Sequence, residues 1–149
     1  MASGDKRRVI VAFSGASGPD YALRILELLT EMDVESHFVM SRSAKISLAH
    51  ESDHKVRDFE DRATRVYAND DIAAPISSGS FLTDGMVICP CSGGTLAAIA
   101  TGQSQNLIHR AADVHLKERR KLVLVPRETP LSAIALGNMK TLADQGVVI

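Results

Sequence analysis

Val9-Ile10-Val11-Ala12-Phe13-Ser14-Gly15-Ala16-Ser17-Gly18-Pro19-Asp20 is the stretch on which the fold class turns. Val9 to Phe13 is a continuous apolar run without polar alternation, the pattern of a strand buried on both faces. Ser14 to Gly18 is a tract of small residues. Pro19 stands where a first helical residue would, and Asp20 falls in the positive first turn. Leu23, Ile25, Leu26, Leu28 and Leu29 give the following helix an apolar stripe up to Met32. A buried strand that passes directly into a helix is the opening half of a βαβ unit.

The alternation continues along the chain. Val34 to Met40 predicts a second strand, and Ser41 to His50 a second helix with Ser41 or Ser43 as its cap. Glu51 to Asp71 is dense in charge and weakly periodic, which predicts a surface excursion with some helix. Asp71 to Phe81 has loop composition. Gly85 to Pro90 predicts a third strand stopped by proline, followed by helices over Ser92 to about Thr101 and Asn106 to Arg120. Lys121 to Pro126 predicts a fourth strand, Pro130 to Gln145 a helix, and Gly146 to Ile149 the start of a fifth strand. This order implies an α/β protein, a doubly wound parallel sheet with helices on both faces. No repeat, low-complexity tract or linker interrupts it, so residues 1–149 read as one domain. The chain stops on an apolar strand, with nothing at the end where such sheets bind ligands, so a further C-terminal segment is expected.

Composition narrows the function. Seventeen Lys and Arg against 18 Asp and Glu give a net charge of −1, unlike the basic excess of a general nucleic-acid binder. Aromatic residues make up only 4% of the chain, too few for a base-stacking platform. No apolar run approaches the roughly 20 residues that cross a bilayer. Met1 to Arg8 is polar and lacks an apolar signal core, which predicts a cytoplasmic protein. Cys89 and Cys91 suit neither a disulfide framework nor a complete zinc site.

Three strand ends pass straight into small, hydroxyl-rich or charged segments: Gly15-Ala16-Ser17-Gly18, Cys91-Ser92-Gly93-Gly94-Thr95 and Arg127-Glu128-Thr129. In a doubly wound sheet such ends converge on one crevice. Small residues admit a ligand to the backbone, and free N–H groups at a helix start bind anions. One such turn alone is an ordinary βα connection; three at corresponding places point to a phosphorylated ligand. Arg127 and Glu128, at a strand's carboxyl end, pair a phosphate-binding cation with a proton carrier. Arg110 and Lys117 are seven residues apart on one helix face, whereas Arg119, Arg120 and Lys121 read as a solvated helix end. Ser17 lacks the spacing of a Gly-x-Ser-x-Gly nucleophile elbow.

On these residues the sequence resembles the UbiX-type (Pad-type) flavin prenyltransferases, a family also described as the flavin-binding subunit of aromatic acid decarboxylases. The resemblance runs from Val9 to Ile149. It rests on Ser14-Gly15-Ala16-Ser17-Gly18, on Met86 to Ser92 with Thr95-Leu96, on Arg110-Ala111-Ala112-Asp113-Val114, and on the long run from Leu116 to Pro130. It implies a flavodoxin-like or Rossmann-like three-layer sandwich assembled as a homododecamer. The implied reaction joins the prenyl group of dimethylallyl phosphate to N5 and C6 of reduced FMN. The prenylated FMN then serves a UbiD-type decarboxylase of ubiquinone precursors or aromatic acids.

Carried over by matching position, the resemblance assigns FMN binding to Gly15, Ala16, Ser17, Ser41, Ser92, Gly93, Gly94, Thr95 and Arg127. It assigns catalysis and prenyl-phosphate binding to Ser17, Glu51, Lys117, Arg127 and Glu128. It implies no metal, nucleic acid or membrane insertion. The family's C-terminal tyrosine and basic residue have no counterpart up to Ile149, and its Ser-Lys after the second strand is Ser41-Arg42 here. The alternatives are an FMN-dependent decarboxylase of aromatic acids or of cysteine, or a non-catalytic FMN-binding subunit. Cysteine-type decarboxylases carry a histidine after the second strand and a Pro-x-Met-Asn motif. His50 is near the first, but Pro130 is followed by Leu131-Ser132-Ala133.

Overall fold

A computed structural model describes residues 4–149; Met1 to Ser3, part of the polar N-terminal stretch, lie outside it. Strand β1 (Arg8–Phe13) leads into α1 (Pro19–Glu31), then β2 (Glu35–Met40), α2 (Arg42–Glu51), α3 (Val56–Glu60) and β3 (Arg65–Ala68). A short 3-10 turn (Pro75–Ser77) precedes β4 (Gly85–Cys91), α4 (Gly93–Ala100), α5 (Leu107–Lys117), β5 (Lys121–Pro126) and α6 (Ala133–Asp144). The five strands form one sheet in the order β3-β2-β1-β4-β5, and all pairings are parallel.

The apolar run Val9 to Phe13 is central because the residues of β1 alternate between two cores. Val11 and Phe13 join Ala22, Leu23 and Leu26 of α1 and Ala44 and Leu48 of α2 on one face. Ile10 and Ala12 join Leu96 and Ile99 of α4 and Leu107, Ile108 and Ala111 of α5 on the other. Helices on both faces make this the three-layer, flavodoxin-like α/β sandwich. The chain changes faces between β3 and β4, so the topological switch lies beside β1. Ligands of open α/β sheets bind at that place, outside the carboxyl ends of the strands.

Four local expectations are corrected. Arg65–Ala68 is a strand inside the charged excursion; it is an edge strand paired only with β2, and only Tyr67 is partly buried, so no apolar pattern marks it. Pro90 does not stop β4, which continues to Cys91 through a register shift between Ile88 and Cys91. The expected fifth strand is a single parallel bridge between Val148 and Val123. Helix α5 ends at Lys117 rather than Arg120, because Arg119 takes a left-handed conformation (φ 55°) that turns the chain into β5. No helix among the described residues is long and apolar enough to cross a membrane.

Burial also disfavours the charged form of three histidines. His115 is fully buried; its Nδ1 donates to the Ala111 carbonyl (2.7 Å), which leaves Nε2 to accept from the Thr83 hydroxyl (2.8 Å). Desolvation is the main cause that pushes His37, His109 and His115 below the ordinary histidine value of 6.5. The unfolded chain therefore binds more protons below pH 6.5 than the folded one. Stability should be full above that pH and fall as pH drops through it, by up to about 1.4 kcal/mol per pH unit for each histidine. Urea unfolding at pH 7.5 and 5.5 should show that loss. His115→Gln should be less stable at pH 7.5 and lose a smaller share on acidification.

Candidate active site

Backbone and hydroxyl hydrogen bonds tie three strand ends together. The Ser41 N–H donates to the Phe13 carbonyl (3.0 Å) and the Ser14 N–H to the Pro90 carbonyl (3.1 Å), so the ladders extend past β1 on both sides. The buried Ser14 hydroxyl accepts from the Ser92 N–H (3.1 Å). Ser92 caps α4, its Oγ accepting from the Thr95 N–H (3.1 Å) and donating to the Thr95 hydroxyl (3.0 Å). Ser41 caps α2 through the Ala44 N–H (3.0 Å) and accepts from the Gly15 N–H (3.3 Å). Gly15 must lack a side chain here, because a Cβ would lie 2.6 Å from the Ser43 Cβ.

Above these turns lies a cavity of about 450 Å³ lined by Gly15, Ala16, Ser17, Ser47, Glu51, Cys91, Ser92, Gly93, Gly94, Arg127 and Glu128. The Ser17 hydroxyl donates to Glu51 Oε1 (3.2 Å), and Arg127 Nη1 donates to the Ser17 carbonyl (3.4 Å). None of the ion pairs among the described residues includes Arg127, Glu51 or Glu128. The cavity thus holds a cation that no side chain neutralises, two carboxylates, a hydroxyl and the start of α4. The N–H groups of Gly93 and Gly94 precede the first intrahelical bond and have no helical partner. Such a set suits an anionic ligand whose reaction moves protons.

Burial disfavours both thiols as nucleophiles. Burial pushes the Cys91 thiol up to about 12, and burial likewise raises Cys89 despite the opposing charge of Arg127. Both stay protonated at neutral pH, and a thiol is a far weaker nucleophile than a thiolate. Among the described residues no group of His, Cys, Asp and Glu could hold a metal ion.

The sequence matches the family model for flavoproteins over residues 2–149. The flavin prenyltransferase UbiX of Thermoplasma acidophilum is 51% identical over 142 residues, which cover 95% of this chain and 78% of that protein. The chain belongs to the UbiX-type flavin prenyltransferase family. Among solved UbiX-type structures, AnUbiX in complex with FMN and dimethylallyl pyrophosphate superimposes with a TM-score of 0.95 at 48% identity, covering 97% of this chain and 77% of that one. A dodecameric FMN-dependent UbiX-like decarboxylase from Escherichia coli gives 0.92 at 49% identity, covering 95% and 78%.

Most residues assigned from the UbiX-type resemblance meet in this cavity: Gly15, Ala16, Ser17, Glu51, Ser92, Gly93, Gly94, Arg127 and Glu128. Ser41 and Thr95 stand one layer behind, holding Gly15 and Ser92. Lys117 is not brought there within one chain. It closes α5 before β5 begins, whereas Arg127 and Glu128 follow the opposite end of β5. His50 is exposed and does not line the cavity. Sequence reasoning did not single out Ser14 or Ser47. Ser47 lies four residues before Glu51, so it shares that face of α2.

Two glycines separate close packing from mere exposure. Gly15→Ala should cost about 1–3 kcal/mol, because two backbones must move apart. Gly94 has nothing within 4 Å of a built Cβ and lies in α4. Gly94→Ala should keep or raise stability by up to about 1 kcal/mol. Urea midpoints of the two variants beside the parent measure this difference.

Proposed function

We propose that the chain is a flavin prenyltransferase, joining the dimethylallyl group of dimethylallyl phosphate to N5 and C6 of reduced FMN. The product, prenylated FMN, would pass to a UbiD-type decarboxylase acting on ubiquinone precursors or other aromatic acids. The observation that carries this reading is the unneutralised Arg127 beside Ser17, Glu51 and Glu128 at the switch point of the sheet. The donor set fits FMN: uncapped N–H groups at Gly93 and Gly94, the Ser17 and Ser92 hydroxyls, and small residues that let a ring system approach the backbone. Reduced flavin supplies the electron-rich nitrogen and carbon that accept the prenyl group.

The residues of the chain handle the phosphate and the protons. The allylic carbon–oxygen bond breaks with both electrons going to phosphate, and Arg127 holds the charge that develops there. Glu128 stands beside Arg127, where it can protonate the leaving phosphate. The Ser17–Glu51 hydrogen bond, 3.2 Å long, gives a second route for protons lost from the acceptor. A second cation, Lys117, would come from a neighbouring copy in a homododecamer, since its own chain holds it at the amino end of β5, away from the cavity. We place the enzyme in the cytoplasm, a reading supported by two free thiols at Cys89 and Cys91. The cysteine-type decarboxylase reading has no support at the cavity, since no histidine lines it.

Incubation of the chain with reduced FMN and dimethylallyl phosphate, or the diphosphate in a second arm, followed by mass spectrometry of extracted flavin, tests the reading. Addition of one five-carbon unit is expected. Unmodified FMN bound at high occupancy would instead support a flavin carrier. Glu51→Gln should bind FMN as the parent does and form product about 100- to 10,000-fold more slowly. Arg127→Ala should weaken FMN or prenyl-phosphate binding as well. Prenylation by Glu51→Gln at the parent rate would return Glu51 to an ordinary surface carboxylate.

A further inference from the structure

Tyr21 lies in the first turn of α1 and is 53% exposed, although nothing in the core requires an aromatic ring there. Its ring faces Arg127, whose guanidinium carbon is 4.6 Å from the ring centroid. The two residues come from opposite ends of the chain: Tyr21 follows β1, and Arg127 follows β5. Gly18 lets them meet. It adopts φ 97°, and a Cβ there would lie 2.3 Å from Arg127 Nη1 and 2.8 Å from Tyr21 Cδ2. The same Nη1 donates to the Ser17 carbonyl (3.4 Å). Arg127 is therefore held by a ring face, a carbonyl and a glycine gap, with no carboxylate.

The choice of partner matters electrostatically. A carboxylate would fix the guanidinium equally well but would neutralise it and occupy its paired N–H donors. An aromatic face attracts the cation through its quadrupole and leaves the net charge intact. It also restricts a side chain that otherwise carries about 2 kcal/mol of rotamer entropy. We propose that Tyr21 is a positioning residue: its ring holds Arg127 charged, unneutralised and oriented to receive a phosphate monoester in the cavity. This rests on the reading above that Arg127 meets a ligand phosphate. Two phosphates are chemically equivalent for it, that of the prenyl donor and that of the flavin. The contact uses the ring rather than the hydroxyl, so phenylalanine should serve and a side chain without a ring should not.

The test compares the full-length parent with Tyr21→Phe, Tyr21→Leu and Tyr21→Gln, the last giving a second ringless variant should one fold poorly. One arm measures affinity for FMN against riboflavin, which lacks the phosphate. The other measures dimethylallyl phosphate by calorimetry and by KM and kcat. Both ringless variants should bind one or both phosphates roughly three- to tenfold more weakly, the size of an exposed to half-buried cation–π contact. Riboflavin affinity and thermal midpoint should stay near the parent, and Tyr21→Phe should match the parent throughout. Weakening confined to FMN would assign the flavin phosphate, and confined to the donor, the prenyl phosphate. Parent-like affinity of the ringless variants for both phosphates overturns the proposal, as does a Tyr21→Phe variant that fails alongside them. If the parent forms no prenylated flavin, the functional reading fails, while the two binding arms still decide the role of Tyr21.

Discussion

The buried Ser14 hydroxyl is the contact on which the site depends. β1 sits between β2 and β4, and its carboxyl end must serve both neighbours. The Phe13 carbonyl accepts from Ser41 on one side, and Ser14 bonds Pro90 and Ser92 on the other. A buried hydroxyl without a partner would cost about 1–3 kcal/mol, so these bonds hold the loop in one arrangement. From that arrangement follow the close approach of Gly15 to α2, the direction of α4, and the convergence of Ser17, Glu51 and Arg127. The chemistry is assembled from residues more than a hundred positions apart because one backbone junction fixes where their elements end.

Charge is distributed with the same economy. Several exposed ion pairs lie elsewhere, among them Lys6 with Asp33, Arg24 with Glu27 and Glu31, Arg62 with Glu27, and Lys140 with Asp144. These are exposed pairs of the kind worth at most about 1 kcal/mol. At the cavity the pattern reverses, with Arg127, Glu51 and Glu128 left unpaired. A folded chain with many carboxylates available would gain by pairing Arg127. That it stacks on Tyr21 instead preserves a positive centre for an anion at some cost to stability. Functional sites commonly forgo local stabilisation in this way.

Much of this was legible in the residues because two periodicities are strong. A short apolar run such as Val9–Phe13, followed at once by a tract of small residues, reads as a strand covered on both faces, and the stripe from Leu23 to Leu29 has helical spacing. The edge strand Arg65–Ala68 was not legible, since an edge buries one face weakly and carries no such run. The loops at three strand ends could be recognised as site material, because small residues and hydroxyls recur at corresponding strand ends. The partner behind them could not: Ser14 looks like any other hydroxyl until topology brings strand ends together. Tyr21 was hidden for a related reason, since a stacking contact between positions 21 and 127 leaves no local pattern.

Lys117 shows where motif matching and geometry part. Its run, Leu116 to Pro130, is the most specific part of the resemblance, yet it spans the whole of β5 and so has one end at the amino end and one at the carboxyl end of that strand. A strand rises about 3.3 Å per residue, and β5 therefore separates Lys117 from Arg127 by roughly its own full length. No rotamer of a lysine crosses that distance around the strand. A motif contiguous in sequence can thus serve two different places at once. Either Lys117 belongs to the surface at the amino edge, or it reaches a cavity on another copy. The second choice accords with the exposed apolar side chain of Ile134 on α6, which lines a hollow together with Glu128. Ligand pockets often lie between subunits, where side chains from one copy can finish the pocket of the next.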